Sequence, residues 1–178
     1  MLVLKRTCFG LACVLAFSLF FTPCTHAAGT DNAARAAVVV HPETGTVLYE
    51  KNADERRPVA SVNKVMTILL TLEAVDEGRV SLEDQVTVSP RAASMGGSQA
   101  FLDAGERYKL SELLKTVIVA SANDSAVALA EHLAGTEESF VRLMNTRAEE
   151  LGLTNTHYAN CTGLPAQEHY TTARDVAK

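Results

Sequence analysis

The sequence has no tryptophan, few aromatic residues of any kind (6%) and no excess of basic charge: Lys+Arg number 16 against Asp+Glu 21, a formal net charge of −5. Without a basic field the chain has nothing to hold a polyanion by, which excludes a general nucleic-acid binder. Its five histidines show no His-x-x-x-His or comparable ligand spacing, so no metal site is expected. No glycine-rich loop ending in lysine is present to cradle a nucleotide phosphate, and no internal repeat or low-complexity segment occurs. Neither a metal nor an organic cofactor is implied.

Cysteine is scarce outside the first 28 residues. Cys8, Cys13 and Cys24 fall within them, leaving Cys161 alone in the rest of the chain. One thiol cannot form an internal disulfide, so stability must come from packing. Long apolar runs are also lacking. Cys8 through Phe21 is about 14 residues, short of the roughly 20 that span a bilayer core. Lys5 and Arg6 precede this run, and a more polar stretch with small residues, Thr22 to Ala28, follows it. The three zones read as an export signal over residues 1–28, cut after Ala27 or Ala28, with an uncleaved membrane anchor as the alternative. A lipid-modified Cys24 is disfavoured, because Phe21-Thr22-Pro23 precede it and not a box of small residues. With 47% hydrophobic and 21% charged residues, residues 29–178 are globular in composition and long enough for a sizeable core.

Within that stretch, Ala36 to Val40 and Thr46 to Glu50 read as strands joined by the turn Pro42-Glu43-Thr44-Gly45, a hairpin. A helix is expected from Ser61 to Asp76, stopped by Gly78. Residues 81–108 read as turns and short elements. Three helices follow. The first carries Leu110, Leu113, Leu114, Val117 and Ile118, with Ser111 as candidate N-cap. The second carries Val127, Leu129, Ala130 and Leu133 up to Gly135. The third carries Phe140, Leu143, Met144 and Leu151 up to Gly152. Ser121-Ala122-Asn123-Asp124 breaks the first from the second. The tail, from Asn155, is loop-like, with a new helix beginning at Thr172.

The helix after Pro58 carries the chemistry. At 100° per residue from Ser61, Val65 falls at about 40°, Ile68 at about 340°, Leu72 at about 20° and Lys64 at about 300°. Ser61 and Lys64 thus flank a stripe of apolar residues expected to face the core, while Met66 and Leu70 lie opposite. Two readings of Lys64 fit. Its stem can be buried with the ammonium snorkelling to water. Alternatively the amine is desolvated, its pKa lowered, and it can take a proton from Ser61 one turn away. The helix N-terminus would then stabilise developing negative charge. Ser121 and Asn123 likewise have two readings: simple helix caps, or a hydroxyl and an amide presented to a cleft by the break between helices.

In combination these motifs are specific. Ser61-x-x-Lys64, followed about 60 residues on by Ser121-Ala122-Asn123, resembles the penicillin-binding signature set. The wider text resembles the low-molecular-mass penicillin-binding proteins of the D-alanyl-D-alanine carboxypeptidase family. The matching stretches are Pro58 to Thr67, Gly96-Gly97-Ser98, Ser121 to Ala126, Phe140 to Asn145, Asn160-Cys161-Thr162-Gly163-Leu164 and Tyr170 to Asp175.

The resemblance implies an α+β, β-lactamase/transpeptidase-like fold, an antiparallel sheet covered by helices beside an all-helical lobe. It implies a serine peptidase that removes the terminal D-alanine from peptidoglycan stem peptides and is acylated by β-lactams. Ser61 would be the nucleophile, with its own backbone N–H as one oxyanion donor. Lys64 would be the proton acceptor, Ser121 a proton relay to the leaving nitrogen, and Asn123 a substrate-binding residue that also steadies Lys64. The protein would act in the periplasm or at the outer face of the cytoplasmic membrane. Rival readings are a peptidoglycan D,D-endopeptidase or β-lactamase on the same machinery, and an inactive wall-binding or penicillin-sensing domain.

One departure stands out. The family's third motif, Lys-Thr-Gly or a close variant, does not occur between residues 122 and 178. The sequence therefore reads as the N-terminal portion of a longer protein, any C-terminal membrane anchor lying further on. The missing lysine would bind the substrate carboxylate, and the missing strand would supply a second oxyanion donor. Alone, this portion is expected to be inactive, and unstable because the hairpin lacks its sheet neighbours.

Overall fold

The computed structural model describes residues 32–178; the export-signal reading of residues 1–28 lies outside the described residues. The expected hairpin is present: β1 (Ala37–Val40) pairs antiparallel with β2 (Val47–Lys51), with a register irregularity between Val39 and Val40. The backbone at Gly45 is left-handed (φ +67°), which the tight return at the hairpin tip needs and glycine supplies without strain. Val39, Val47 and Leu48 remain exposed on this hairpin.

The helix expected from Ser61 divides in two. Ala60–Asn63 is a 3-10 turn, and the α-helix proper, α1, runs Lys64–Asp76. Gly78, at φ +70°, ends it as expected. Residues 81–108 contain a second antiparallel pair, β3 (Gln85–Thr87) with β4 (Arg107–Lys109), and a short helix α2 (Pro90–Ala93) capped by Ser89. Then come α3 (Leu110–Ala120), α4 (Asn123–Ala134), α5 (Glu137–Glu150) and a terminal turn of helix, α6 (Ala173–Val176). Ser111 is not the N-cap of α3. Lys109 holds that position, and the Glu112 carboxylate accepts its backbone N–H at 3.1 Å. The Ser111 N–H instead donates to Leu82 O. No helix among the described residues is long and apolar enough to cross a membrane.

The core is built on α4. Asn123 through Ala130 are all buried, and the small side chains Ala126, Ala128 and Ala130 let α1, α2, α3 and α5 approach closely. Phe140 and Met144 of α5 and Leu110 and Leu113 of α3, all at most 1% exposed, fill the space around it. The last residues of the chain return to the segment before the 3-10 turn. Arg57 and Thr171 form a backbone bridge in both directions, and Arg174 reaches Asp54 at 2.7 Å and Glu50 at 2.8 Å.

The buried carboxylate of Asp124, 1% exposed, organises the approach to α4. It accepts the backbone N–H of Ala100 (3.0 Å), Leu102 (3.2 Å) and Ser125 (2.8 Å). Removing it orphans several buried donors at once. Asp124→Ala is expected to lower stability by about 3 kcal/mol or more, and Asp124→Asn, which keeps one acceptor oxygen, by less. Urea denaturation of the two variants against the parent measures the difference.

Candidate active site

Ser61 sits in the 3-10 turn immediately before α1, exposed to solvent, while Lys64, the first residue of α1, is 3% exposed. In 3-10 geometry residues three apart are eclipsed, so the turn brings the pair together more directly than an α-helix does. The Lys64 Nζ lies 3.4 Å from Ser61 Oγ. Ala60, just before the serine, is held at φ +48°, a left-handed conformation costly for a residue with a side chain.

The buried face of α1 is not the stripe expected from periodicity. Val65 and Leu72 are 60% and 46% exposed, whereas Lys64, Met66, Thr67, Thr71 and Ala74 are buried. A helix that is apolar nearly all round gives periodicity no direction to choose. Here polar groups choose it, because their partners lie on one side. A tight loop at residues 160–163 presents three successive backbone carbonyls to that face. Asn160 O accepts from Asn63 Nδ2 (3.2 Å), Cys161 O from Thr67 Oγ1 (2.8 Å) and Thr162 O from Lys64 Nζ (2.7 Å). Thr71 Oγ1 donates to Thr67 O at 2.8 Å, so the buried hydroxyls are satisfied.

Lys64 is therefore a desolvated lysine, not a snorkelling one. Burial holds its amine below the ordinary value of 10.5. The Cys161 thiol would oppose this only if ionised. It is itself fully buried, and burial followed by the nearby Glu137 carboxylate pushes it well above the ordinary thiol value, so it stays neutral. An amine whose neutral form burial favours, beside an exposed hydroxyl, is an arrangement suited to taking a proton from that hydroxyl.

Ser121 and Asn123 occupy the corner between α3 and α4, as the sequence predicts. Ser121 ends α3 at φ 55°, ψ 35°, a second non-glycine residue in left-handed geometry, and its buried Oγ has no hydrogen-bond partner. It caps nothing. Asn123, 4% exposed, begins α4 and donates its Nδ2–H to Gly96 O (2.7 Å) and its backbone N–H to Ser98 O (2.7 Å). A Cβ at Gly97, where φ is +81°, would lie 2.9 Å from Asn123 Nδ2, which accounts for glycine in that stretch. Ser61 and Lys64 are thus in hydrogen-bond contact, while the bonds of Ser121 and Asn123 do not extend to either.

The residues that sequence reasoning missed are those of the 160–163 loop. The motif Asn160 to Leu164 stands out in the sequence, but the groups that hold Asn63, Lys64 and Thr67 are main-chain carbonyls, which no side-chain pattern announces. Residues 23–178 match the sequence profile described as D-alanyl-D-alanine carboxypeptidase. The chain belongs to that family. Among relatives in it, D-alanyl-D-alanine carboxypeptidase DacF of Bacillus subtilis (strain 168) is 50% identical over 144 residues, covering 81% of this chain and 37% of its own length. The crystal structure of the D-alanyl-D-alanine carboxypeptidase DacD from Francisella tularensis superposes with a TM-score of 0.81 at 40% identity, over 82% of this chain and 35% of that one. Penicillin binding protein 5 from Haemophilus influenzae superposes at 0.78 and 34% identity, over 80% and 42%. The chain thus spans well under half the length of these family members, and the transpeptidase-like α+β fold expected from the sequence holds.

The buried, neutral Cys161 has a direct consequence. In the folded protein it is expected to resist iodoacetamide at mildly alkaline pH and to label fully in urea, as read by peptide mapping. Rapid labelling of Cys161 in the native state would contradict its burial.

Proposed function

We infer that the chain carries the nucleophile half of a serine-type D-Ala-D-Ala carboxypeptidase active site that removes the terminal D-alanine from peptidoglycan stem peptides. The observation that carries this is the contact between an exposed Ser61 hydroxyl and a buried Lys64 amine. Lys64 takes the Ser61 proton as Oγ attacks the carbonyl of the penultimate D-alanine. A C–O bond forms and the carbonyl electrons move to oxygen, where the Ser61 backbone N–H stabilises them. When the tetrahedral centre collapses, the C–N bond breaks and the D-alanine nitrogen takes up a proton. Ser121, whose buried hydroxyl has no other partner, is suited to pass that proton on. Asn123 stands at the head of α4 to bind the substrate peptide. Water then hydrolyses the Ser61 ester. The four-membered amide of a β-lactam enters the same first step, but its leaving nitrogen stays tethered. The site works on the outer side of the cytoplasmic membrane, where stem peptides are found.

Three tests apply to the protein as its gene encodes it. A fluorescent penicillin should acylate Ser61, located by mass spectrometry. Ser61→Ala should abolish the adduct, and Lys64→Arg, which cannot give up its proton, should slow acylation by about a thousandfold. An adduct on another residue would sink the reading. The acylation rate should also rise with pH and level off. The reactive form is the neutral amine, and burial places its midpoint below the ordinary lysine value of 10.5. A rate that falls with rising pH over that range would exclude Lys64 as the base. Release of D-alanine from a synthetic pentapeptide, compared with cleavage of a crosslinked dimer, separates carboxypeptidase from endopeptidase.

A further inference from the structure

The loop at residues 160–163 is built by one side chain. Asn160 Oδ1 accepts three hydrogen bonds from within the loop: Gly163 N (2.7 Å), Thr162 N (3.1 Å) and Thr162 Oγ1 (3.1 Å). Its Nδ2 donates to Leu164 O at 2.9 Å, so both ends of the amide are used inside the turn. An asparagine that folds the following backbone around its own oxygen fixes the direction of the next carbonyls. One of those carbonyls, Thr162 O, is the shorter of the two hydrogen bonds made by the Lys64 amine.

The other side of the loop is locked sterically. Gly163 adopts φ +87°, and a Cβ there would lie 1.8 Å from the Ala60 carbonyl oxygen and 3.0 Å from Asn63 Cβ. The loop is therefore seated directly on the 3-10 turn that holds Ser61. It touches the residue before the serine, the residue before the lysine, and the lysine itself. Ala60 keeps its left-handed backbone against this contact.

We propose that Asn160 is a positioning residue: its side chain shapes the 160–163 turn so that Thr162 O holds the Lys64 amine in line with Ser61 Oγ. The proposal rests on the reading of Ser61 and Lys64 as nucleophile and base. Asn160 itself touches neither reacting atom. Without Oδ1 the turn loses its three internal acceptor contacts, Thr162 O is no longer fixed, and the amine swings off the hydroxyl. Displacements of this order affect the chemical step far more than ground-state binding.

The test uses acylation by a fluorescent penicillin in the protein as its gene encodes it. Single-turnover kinetics separate the dissociation constant of the non-covalent complex from the acylation rate constant. Rates are read on the alkaline plateau, where a carboxylate placed at position 160 no longer limits the rate by holding the Lys64 proton. Asn160→Ala should lower the rate constant roughly tenfold or more while leaving the dissociation constant within about twofold. Asn160→Asp keeps the acceptor oxygen but sets its second oxygen against the Leu164 carbonyl in place of a donor, so its rate constant should fall less than that of Asn160→Ala and stay within about threefold of the parent. A parental rate for Asn160→Ala, or a rate for Asn160→Asp as low as that of Asn160→Ala, would overturn the proposal. Should Asn160→Ala fail to fold, Thr162→Val removes one of the three contacts at Oδ1 and leaves the carbonyl in place. It should slow acylation by about threefold, and an unchanged rate would equally overturn the proposal. The parent is the control for the underlying reading: absence of a Ser61 adduct there defeats that reading and this inference together, whereas a normal parent with an unaffected Asn160→Ala defeats the inference alone.

Discussion

The site depends on one unfavourable act, the burial of a lysine amine. An ammonium in a protein interior is costly unless it is paired, and among the described residues no carboxylate is paired with Lys64. The chain meets this cost by making the neutral form the easier one to keep and by offering it a main-chain oxygen and a hydroxyl in place of an ion. Much else in the structure serves that choice. The polar face of α1, with Thr67 and Thr71 buried beside Lys64, would be a defect in an ordinary core helix. Here it is matched carbonyl for hydroxyl by the 160–163 loop. The apolar side chains that periodicity would have placed inside, Val65 and Leu72, are left on the outer face.

Two local strains lie at the residues proposed for the site. Ala60 precedes Ser61 and Ser121 ends α3, both in left-handed conformations that their side chains disfavour. Neither is explained by local sequence preference. Each stands at a tight junction: the Ala60 carbonyl is closely approached by Gly163, and Ser121 is the corner between α3 and α4. The unpartnered Ser121 hydroxyl belongs to the same pattern. A buried polar atom without a partner is a cost to the folded state, and such costs gather where a substrate is to supply the missing contact.

How much of this was legible beforehand follows from the kind of group involved. Ser61, Lys64, Ser121 and Asn123 are side chains in short, spaced motifs, and the hairpin, the break before Asn123 and the stops at Gly78, Gly135 and Gly152 all announce themselves through residue type. The 3-10 turn does not, because it differs from an α-helix only by a small tightening of the backbone. Nor does the orientation of α1. Its apolar residues fall on nearly every side, and what decides the matter is a loop about a hundred positions further on, acting through carbonyl oxygens that every residue possesses. Ser111 misled for a simpler reason. It is a good cap by type, but the chain enters α3 from β4, and the extended backbone of Lys109 already occupies the capping position.

The seat of Gly163 on the Ala60 carbonyl has a consequence for the order in which the molecule matures. The lysine and its carbonyl partner are 98 positions apart in the chain. During synthesis, α1 emerges long before the turn that shields its first residue. Until that turn arrives, the amine is wetted and carries the charge of an ordinary lysine. The desolvated amine beside Ser61 is thus absent from the nascent polypeptide and arises only when a distant segment closes over it.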